Sequence, residues 1–166
     1  MTLSIIVAIA KNFAIGKKNE LLYSMPNDMK RFKETTTGHT VIMGKNTFAS
    51  FPRRPLPRRR NIVLALPHEV PEEKEGAEWV CSLQEALDLC KDEEEVFIIG
   101  GAYVYSQTLP IADKLYLTVI DDAPEDADAY FPTVNYEEWD VELHEPHLAD
   151  ERHAHDYVFL NLVRKK

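Results

Sequence analysis

Val96-Phe-Ile-Ile-Gly-Gly-Ala-Tyr-Val-Tyr-Ser-Gln-Thr-Leu109 is the stretch that decides the fold class. Its apolar opening, Val96 to Ile99, is the pattern of a strand covered on both faces. Gly100-Gly101 marks a tight turn, and Ala102 to Leu109 predicts a helix. The order of strand, glycine and helix recurs upstream: Thr40 to Met43 reads as a strand, and Gly44-Lys45-Asn46-Thr47 opens a short helical run, Thr47 to Ser50. Leu3 to Ile9 is a near-continuous apolar run and predicts a central strand, with Asn61 to Leu66, Glu78 to Cys81 and Lys114 to Ile120 as further strands. Ser82-Leu-Gln-Glu85 matches a capping box ahead of an amphipathic helix bearing Leu83, Ala86, Leu87 and Cys90. Trp139 to Glu145 and His155 to Val163 alternate as paired antiparallel strands do. The expectation is a single α/β domain over residues 1–166, with a mixed, mostly parallel sheet of about eight strands, about four flanking helices and antiparallel C-terminal strands.

A chain of 166 residues can bury a substantial core alone, and its balance of 45% hydrophobic and 28% charged residues is that of a soluble globular protein. A net charge of −9 argues against nucleic-acid or anionic-membrane partners, so any phosphate site must be local. The run Leu3 to Ala10 is shorter than a membrane span and passes directly into Lys11-Asn12. Cys81 and Cys90 provide neither a disulfide framework nor a metal-knuckle spacing, and the cytoplasm is the expected compartment.

The most informative chemistry lies in Leu21 to Lys33, where Asp28 sits among apolar neighbours. Pro26 suits the first turn of a helix, and on that helix Asp28 and Phe32 stand four residues apart and Met29 and Phe32 three. A carboxylate so placed is either a solvated first-turn residue favoured by the helix dipole, or a pocket acid that binds a planar, nitrogen-rich ring. The preceding segment, Lys11 to Ser24, reads as a long loop of functional length. The two glycine junctions each leave free backbone N–H groups at a helix start, and two such sites suit a pyrophosphate, although neither matches a familiar nucleotide fingerprint. Phe51 to Arg60 carries five arginines, a pattern usual for a solvated loop. Asp92-Glu93-Glu94-Glu95 reads as a solvated connection without a role. His144, His147, His153 and His155 read as solvated histidines, with no metal site expected, and no nucleophile elbow or HExxH is present.

Together these residues resemble dihydrofolate reductase of the bacterial, chromosomal type, colinearly from Leu3 to about Val163. The resemblance is carried by Ile15-Gly16 with Asn19, Pro26-x-Asp28 with Phe32, Val41-Ile42-Met43-Gly44-x-x-Thr47 and Arg54-Pro55-Leu56-Pro57-x-Arg59-x-Asn61. It continues through Ile99-Gly100-Gly101-x-x-Val104-Tyr105, Leu115-Tyr116-Leu117-Thr118 and Asp128-x-x-Phe131-Pro132. It implies hydride transfer from C4 of NADPH to C6 of dihydrofolate with protonation at N5. Asp28 would bind the pterin's amino group and N3, supported by Thr118, with Ile6, Met29, Phe32 and Ile99 lining the slot. Arg59, assisted by Arg54, would grip the substrate's glutamate carboxylate. NADPH would meet Ala8, Ala14, Ile15, Gly16, Asn19, Glu20, Leu21, Gly44, Lys45, Asn46, Thr47, Ala65 and Leu66. On the Gly100-Gly101 side it would meet Ala102, Tyr103, Val104, Tyr105 and Gln107. Gly16 to Ser24 would be the mobile loop that closes over the nicotinamide. The chain is expected to act as a monomer on this small-molecule substrate.

Departures from the family pattern carry expectations of their own. Leu22-Tyr23 stands where the family usually has Pro-Trp, so Tyr23 would have to hold the water that the tryptophan orders near the pterin. Lys45 replaces the common Arg near the 2′-phosphate, and Ala65-Leu66 replaces a pair often rich in hydroxyls. NADPH preference is therefore expected to be weaker than usual. Two alternatives remain: a same-fold reductase of another heterocycle, which Asp28 with Arg59 disfavours, and a non-catalytic folate- or nucleotide-binding module.

Overall fold

Strand β1 (Thr2–Ala10) is apolar because both faces of the sheet bury it, with Leu3, Ile5, Ile9 and Ala10 shielded from solvent. The computed structural model describes residues 1–18, 20–23 and 25–166, and the side chains of Glu20 and Leu21 also fall outside the description. After β1 come β2 (Ala14–Lys17), β3 (Glu20–Leu21), α1 (Pro26–Thr36), β4 (Thr40–Gly44), α2 (Lys45–Ser50), β5 (Arg60–Leu64), β6 (Glu78–Val80) and α3 (Leu83–Leu89). The chain continues through β7 (Glu95–Ile98), α4 (Ala102–Thr108), β8 (Lys114–Ile120), β9 (Ala129–Tyr130), β10 (Trp139–His147) and β11 (Tyr157–Arg164).

The main sheet has eight strands in the order β10-β11-β8-β1-β7-β4-β5-β6. Every pairing from β8 to β6 is parallel, and β11 and β10 add antiparallel strands at one edge. This matches the expected sheet, and the helices α1 to α4 match the expected flanks. Ile5, Ile42, Ile62, Ile98, Leu115 and Leu117 are fully buried in its layers, and each such side chain contributes about 1.5–3 kcal/mol over its exposed state. Cys81 and Cys90 are both free.

The expected loop Lys11 to Ser24 is instead partly strand. Here β2 pairs with β3 and β9 in a separate three-stranded sheet, with Ala14 and Gly16 turned inward. Four residues of alternation among lysines are too short a pattern to read as a strand.

The acidic run before β7 has a role that its composition concealed. Glu95 Oε2 accepts from Ser4 Oγ at 2.5 Å and from Tyr116 OH at 3.0 Å, while Glu93 accepts from Thr40 Oγ1 and from Arg60 Nη1. Arg60 is correspondingly not a solvated arginine: it also pairs with Glu78 and donates to the Leu89 carbonyl at the end of α3.

Not every histidine is solvated either. His153 is only 1% exposed, in the connection between β10 and β11. Its Nδ1 lies 2.8 Å from Asp150 Oδ1, and its Nε2 accepts the backbone N–H of Asn27 at 3.3 Å. Asn27 is in the first turn of α1, whose N-cap, Met25, has no side-chain acceptor to offer. The imidazole therefore caps the helix from outside it. His153→Ala should lower stability by about 1–2 kcal/mol, read as a lower urea midpoint at neutral pH. An unchanged midpoint would show that the cap contributes nothing.

Candidate active site

Asp28 enters on the first turn of α1 and meets β8, where Thr118 Oγ1 donates to its Oδ1. Parallel pairing sets Thr118 opposite Ala8 of β1, and antiparallel pairing sets it opposite Phe159 of β11. Ile6 and Ile99 belong to one buried cluster, and the ring of Phe32 packs against it from α1. Burial pushes the Asp28 carboxyl above the ordinary carboxylate range, while the Thr118 hydrogen bond and the charge of Arg31 act in the opposite sense. Met29 is 65% exposed, so it stands at the rim rather than in the cluster.

The two glycine junctions converge. The Gly44 N–H donates to the Gly100 carbonyl at 2.8 Å, so the starts of α2 and α4 lie side by side, and neither helix has a side-chain cap. The Gly100-Gly101 peptide is cis, and Gly100 has a φ of +124°, a backbone state suited to glycine. A Cβ added to either glycine would come 3.5 Å from Thr47 Oγ1. The side chains of Val104 and Tyr105 are in the core, where Tyr105 OH donates to the Ile6 carbonyl at 3.0 Å, so only their backbone can serve a ligand at this junction. Tyr103 is 78% exposed, and Ala102 and Gln107 are half-buried.

Lys45, at the start of α2, is 2.7 Å from Glu69. Ala65 is buried and Leu66 exposed nearby in sequence, and the Leu66 N–H donates to the other oxygen of Glu69. Arg54 turns toward Glu75 and lies over the Phe48 ring, in a cleft shared with Lys45, Glu69 and Trp79. It does not join Arg59. The Arg59 side chain donates to Thr36 Oγ1 and the Pro57 carbonyl and lies 5.8 Å over the Phe32 ring.

The segment before α1 is tied to the acidic loop after β8. Lys18 N–H donates to Asp128 Oδ2 at 2.9 Å, Asp128 N–H donates to the Gly16 carbonyl, and Lys17 pairs with Asp126. Ile15 packs on the core, and Asn19 lies outside the described residues. Tyr23 does not turn its hydroxyl to Asp28: it donates to Asp122 at 2.7 Å, edge-on to His155, with its ring against Met25, Ile120 and Tyr157. The acceptor lies two residues past the end of a predicted strand, within reach of that phenol, and spacing alone gave no hint of it.

Arg31 is the residue that sequence reasoning missed. It stands one turn beyond Asp28 on α1 and reaches Thr118, and the three-residue spacing was the available signal. Among the described residues no group of acids, histidines and cysteines is placed to hold a metal ion, and no helix is long and apolar enough to cross a membrane.

The family model for dihydrofolate reductase matches residues 2–164. The chain belongs to the dihydrofolate reductase family. Relatives of that name include one from Haemophilus influenzae, 45% identical over 99% of this chain and 100% of its own, and one from Bacillus subtilis, 41% identical over 98% and 95%. Among solved structures, dihydrofolate reductase from Enterococcus faecalis, complexed with NADP(H) and RAB-propyl, superposes with a TM-score of 0.87 at 32% identity, covering 99% of this chain and 97% of that one.

Because Asp28 binds its proton more tightly folded than unfolded, its ionisation opposes folding. The carboxyl adds stability below the ordinary carboxylate range, and this is lost as pH rises through its raised folded value. Asp28→Asn, which keeps an acceptor for Thr118, should therefore raise the urea midpoint at pH 7, by an amount on the order of 1 kcal/mol, with no gain below about pH 4. Equal midpoints at pH 7 would contradict the burial argument.

Proposed function

We propose that the chain reduces 7,8-dihydrofolate to 5,6,7,8-tetrahydrofolate through Asp28, by hydride transfer to C6 and protonation at N5. The observation that carries this reading is a desolvated carboxylate with, among the described residues, a single fixed donor, Thr118, beside an apolar cluster. A carboxylate so held has its second oxygen free for the paired N–H groups of a flat heterocycle. It stabilises that ring more as the ring gains a proton, and this difference between ground and transition state is catalysis.

NADPH, when bound, supplies the hydride from its C4. The uncapped starts of α2 and α4, with Gly44 to Thr47 and Gly100 to Ala102, suit its pyrophosphate because free N–H groups and helix dipoles both favour an anion there. Ala8, Ala14, Ile15 and Gly16 are assigned to the nicotinamide end, as are Asn19, Glu20 and Leu21. Lys45 is assigned to the 2′-phosphate, with Ala65 and Leu66 alongside and Tyr103 and Gln107 flanking the α4 side. Ile6, Met29, Phe32 and Ile99 line the ring's slot, and the exposed thioether of Met29 gains cover when a ligand binds. Arg59 meets the glutamate carboxylate, its charge held in place by Thr36 and Pro57. Arg54, engaged with Glu75, takes no part in that reading, and neither does Tyr23. Residues 1–166 act as one domain, as a cytoplasmic monomer, and a net charge of −9 leaves nucleic acid without a binding face.

The test is the loss of NADPH absorbance on adding dihydrofolate to purified protein. Parent protein should oxidise NADPH only when dihydrofolate is present, and Asp28→Asn should turn over about 100-fold more slowly while binding NADPH as before. Near-parental turnover by the variant would refute the role of Asp28. Tight folate binding without oxidation by the parent would favour the binding-module alternative.

The Lys45–Glu69 pair generates a second expectation. An acid within 2.7 Å of the lysine competes with a phosphate for it. Glu69→Gln, which keeps an acceptor for the Leu66 N–H, should lower the KM for NADPH by about 3- to 10-fold and leave that for NADH unchanged. An equal change for both cofactors would remove Lys45 from the 2′-phosphate.

A further inference from the structure

Arg31 is partly buried and, among the described residues, has no carboxylate within ion-pair distance. Its guanidinium is nevertheless well held. Nη1 donates to the Leu117 carbonyl at 2.9 Å and to Thr118 Oγ1 at 3.2 Å, Nη2 donates to Asn161 Oδ1, and the carbon centre lies 4.5 Å over the Phe159 ring. One cation on α1 thus spans two strands, β8 and β11, and touches the hydroxyl that touches Asp28.

That contact restricts Thr118. A hydroxyl has one proton and two lone pairs. With Arg31 donating into one lone pair, the Thr118 proton is turned away from the guanidinium and toward Asp28 Oδ1. The chain Arg31 to Thr118 to Asp28 therefore runs in one direction, every link donating toward the acid. It requires an accepting oxygen at Asp28, which a carboxylate always presents.

We propose that Arg31 is a positioning residue for the family's reaction, fixing the Thr118 hydroxyl as donor to Asp28 and setting, by its charge, the pH at which the site releases its proton. This rests on Asp28 being the ring-binding acid. The sign does not depend on where the proton sits. Whether it rides on the carboxyl or on the bound ring, it stands in the field of the same guanidinium, so Arg31 weakens proton binding by the pair as a whole. Burial of Asp28 acts oppositely, and Arg31 offsets part of it.

The other groups facing this site leave Arg31 as the cation that acts on Asp28. Tyr116 and Thr118 face it from β8, Glu145 approaches Arg31 from β10, and Tyr105 lies behind Asp28 on α4. Burial holds both tyrosines neutral, their pKa values pushed well up. His147 packs against the Phe159 ring, and His153 lies at the helix start, engaged with Asp150 and the Asn27 N–H.

The experiment compares Arg31→Gln, which is neutral and keeps an amide donor, with Arg31→Met, neutral without one, and Arg31→Lys, charged without the fork. Two readouts are taken: the carbon-13 titration of the Asp28 carboxyl in ligand-free protein, and the alkaline limb of the pH profile for dihydrofolate-dependent NADPH oxidation. Both neutral variants should move both midpoints upward by about one pH unit, and Arg31→Lys should leave them within a few tenths of the parent. If Arg31 were only a staple between α1 and the sheet, all three variants would lose stability and neither midpoint would move, which overturns the proposal. Should one neutral variant fail to fold, the other carries the comparison. A parent without turnover would remove the reading of Asp28, while the carboxyl titration would still decide whether Arg31 acts on it.

Discussion

The hydrogen bond from Thr118 to Asp28 joins α1 to the sheet, and the seat of that helix depends on polar links of this kind more than on burial. Thr36 is the only buried residue of α1. The helix is held by Asp28 on Thr118, Arg31 on Leu117 and Asn161, Asn27 Nδ2 on Tyr157 OH at 2.7 Å, and His153 on the Asn27 N–H. Each neutral link is worth about 0.5–1.5 kcal/mol net, whereas a buried aliphatic side chain on β1 or β7 is worth about 1.5–3 kcal/mol. A helix docked in this way does not have to press its apolar face shut. Phe32 is half-covered and Met29 open on the helix that carries Asp28.

Sheet order determines where the cofactor side lies relative to the acid. Strand β1 has β8 on one side and β7 on the other, with β4 next to β7. All four run parallel, so their C-terminal ends share one rim, the usual place for ligands in such sheets. Thr118 and Asp28 occupy the β8 side of that rim. Gly44 and Gly100, joined by a backbone hydrogen bond, occupy the β4 and β7 side. On the proposed reading, a donor group and an accepting ring would therefore meet over the C-terminal part of β1, between these two sides of the rim.

Local patterns in the sequence were enough to place the parallel core, both glycine junctions and Asp28 itself. Runs such as Val96 to Ile99 fix strands within a few residues, and Pro26 fixes a helix start. What local pattern could not supply was the partner of a polar side chain more than 20 residues away. His153 looks like any histidine beside acids until its ring is found on Asn27, 126 positions earlier. Glu93 and Glu95 look like a solvated run until Thr40, Ser4 and Tyr116 are found beside them. Arg31 looks like a surface cation on an exposed helix until the pairing of β8 with β11 brings Thr118 and Asn161 under it. In each case the residue type was compatible with solvent, and only tertiary geometry made it specific.

A chain with a net charge of −9 has acids to spare, yet it places Asp28 where ionisation opposes folding. Substitution by a neutral isostere would keep the Thr118 link and serve the helix seat better, since ionising a largely desolvated acid opposes folding. The fold instead surrounds the acid with devices that limit the cost without removing it. Thr118 offers a neutral donor, which stabilises the carboxylate while adding no charge that would repel a protonated ring. The cation is kept one group further back, its charge spread over a planar fork and partly screened by the Phe159 face. Placed in direct contact with Asp28, a guanidinium would occupy the oxygen that a ligand needs and would favour the carboxylate too strongly to leave a proton in the site. Set behind the hydroxyl, it moderates the acid and leaves that oxygen free.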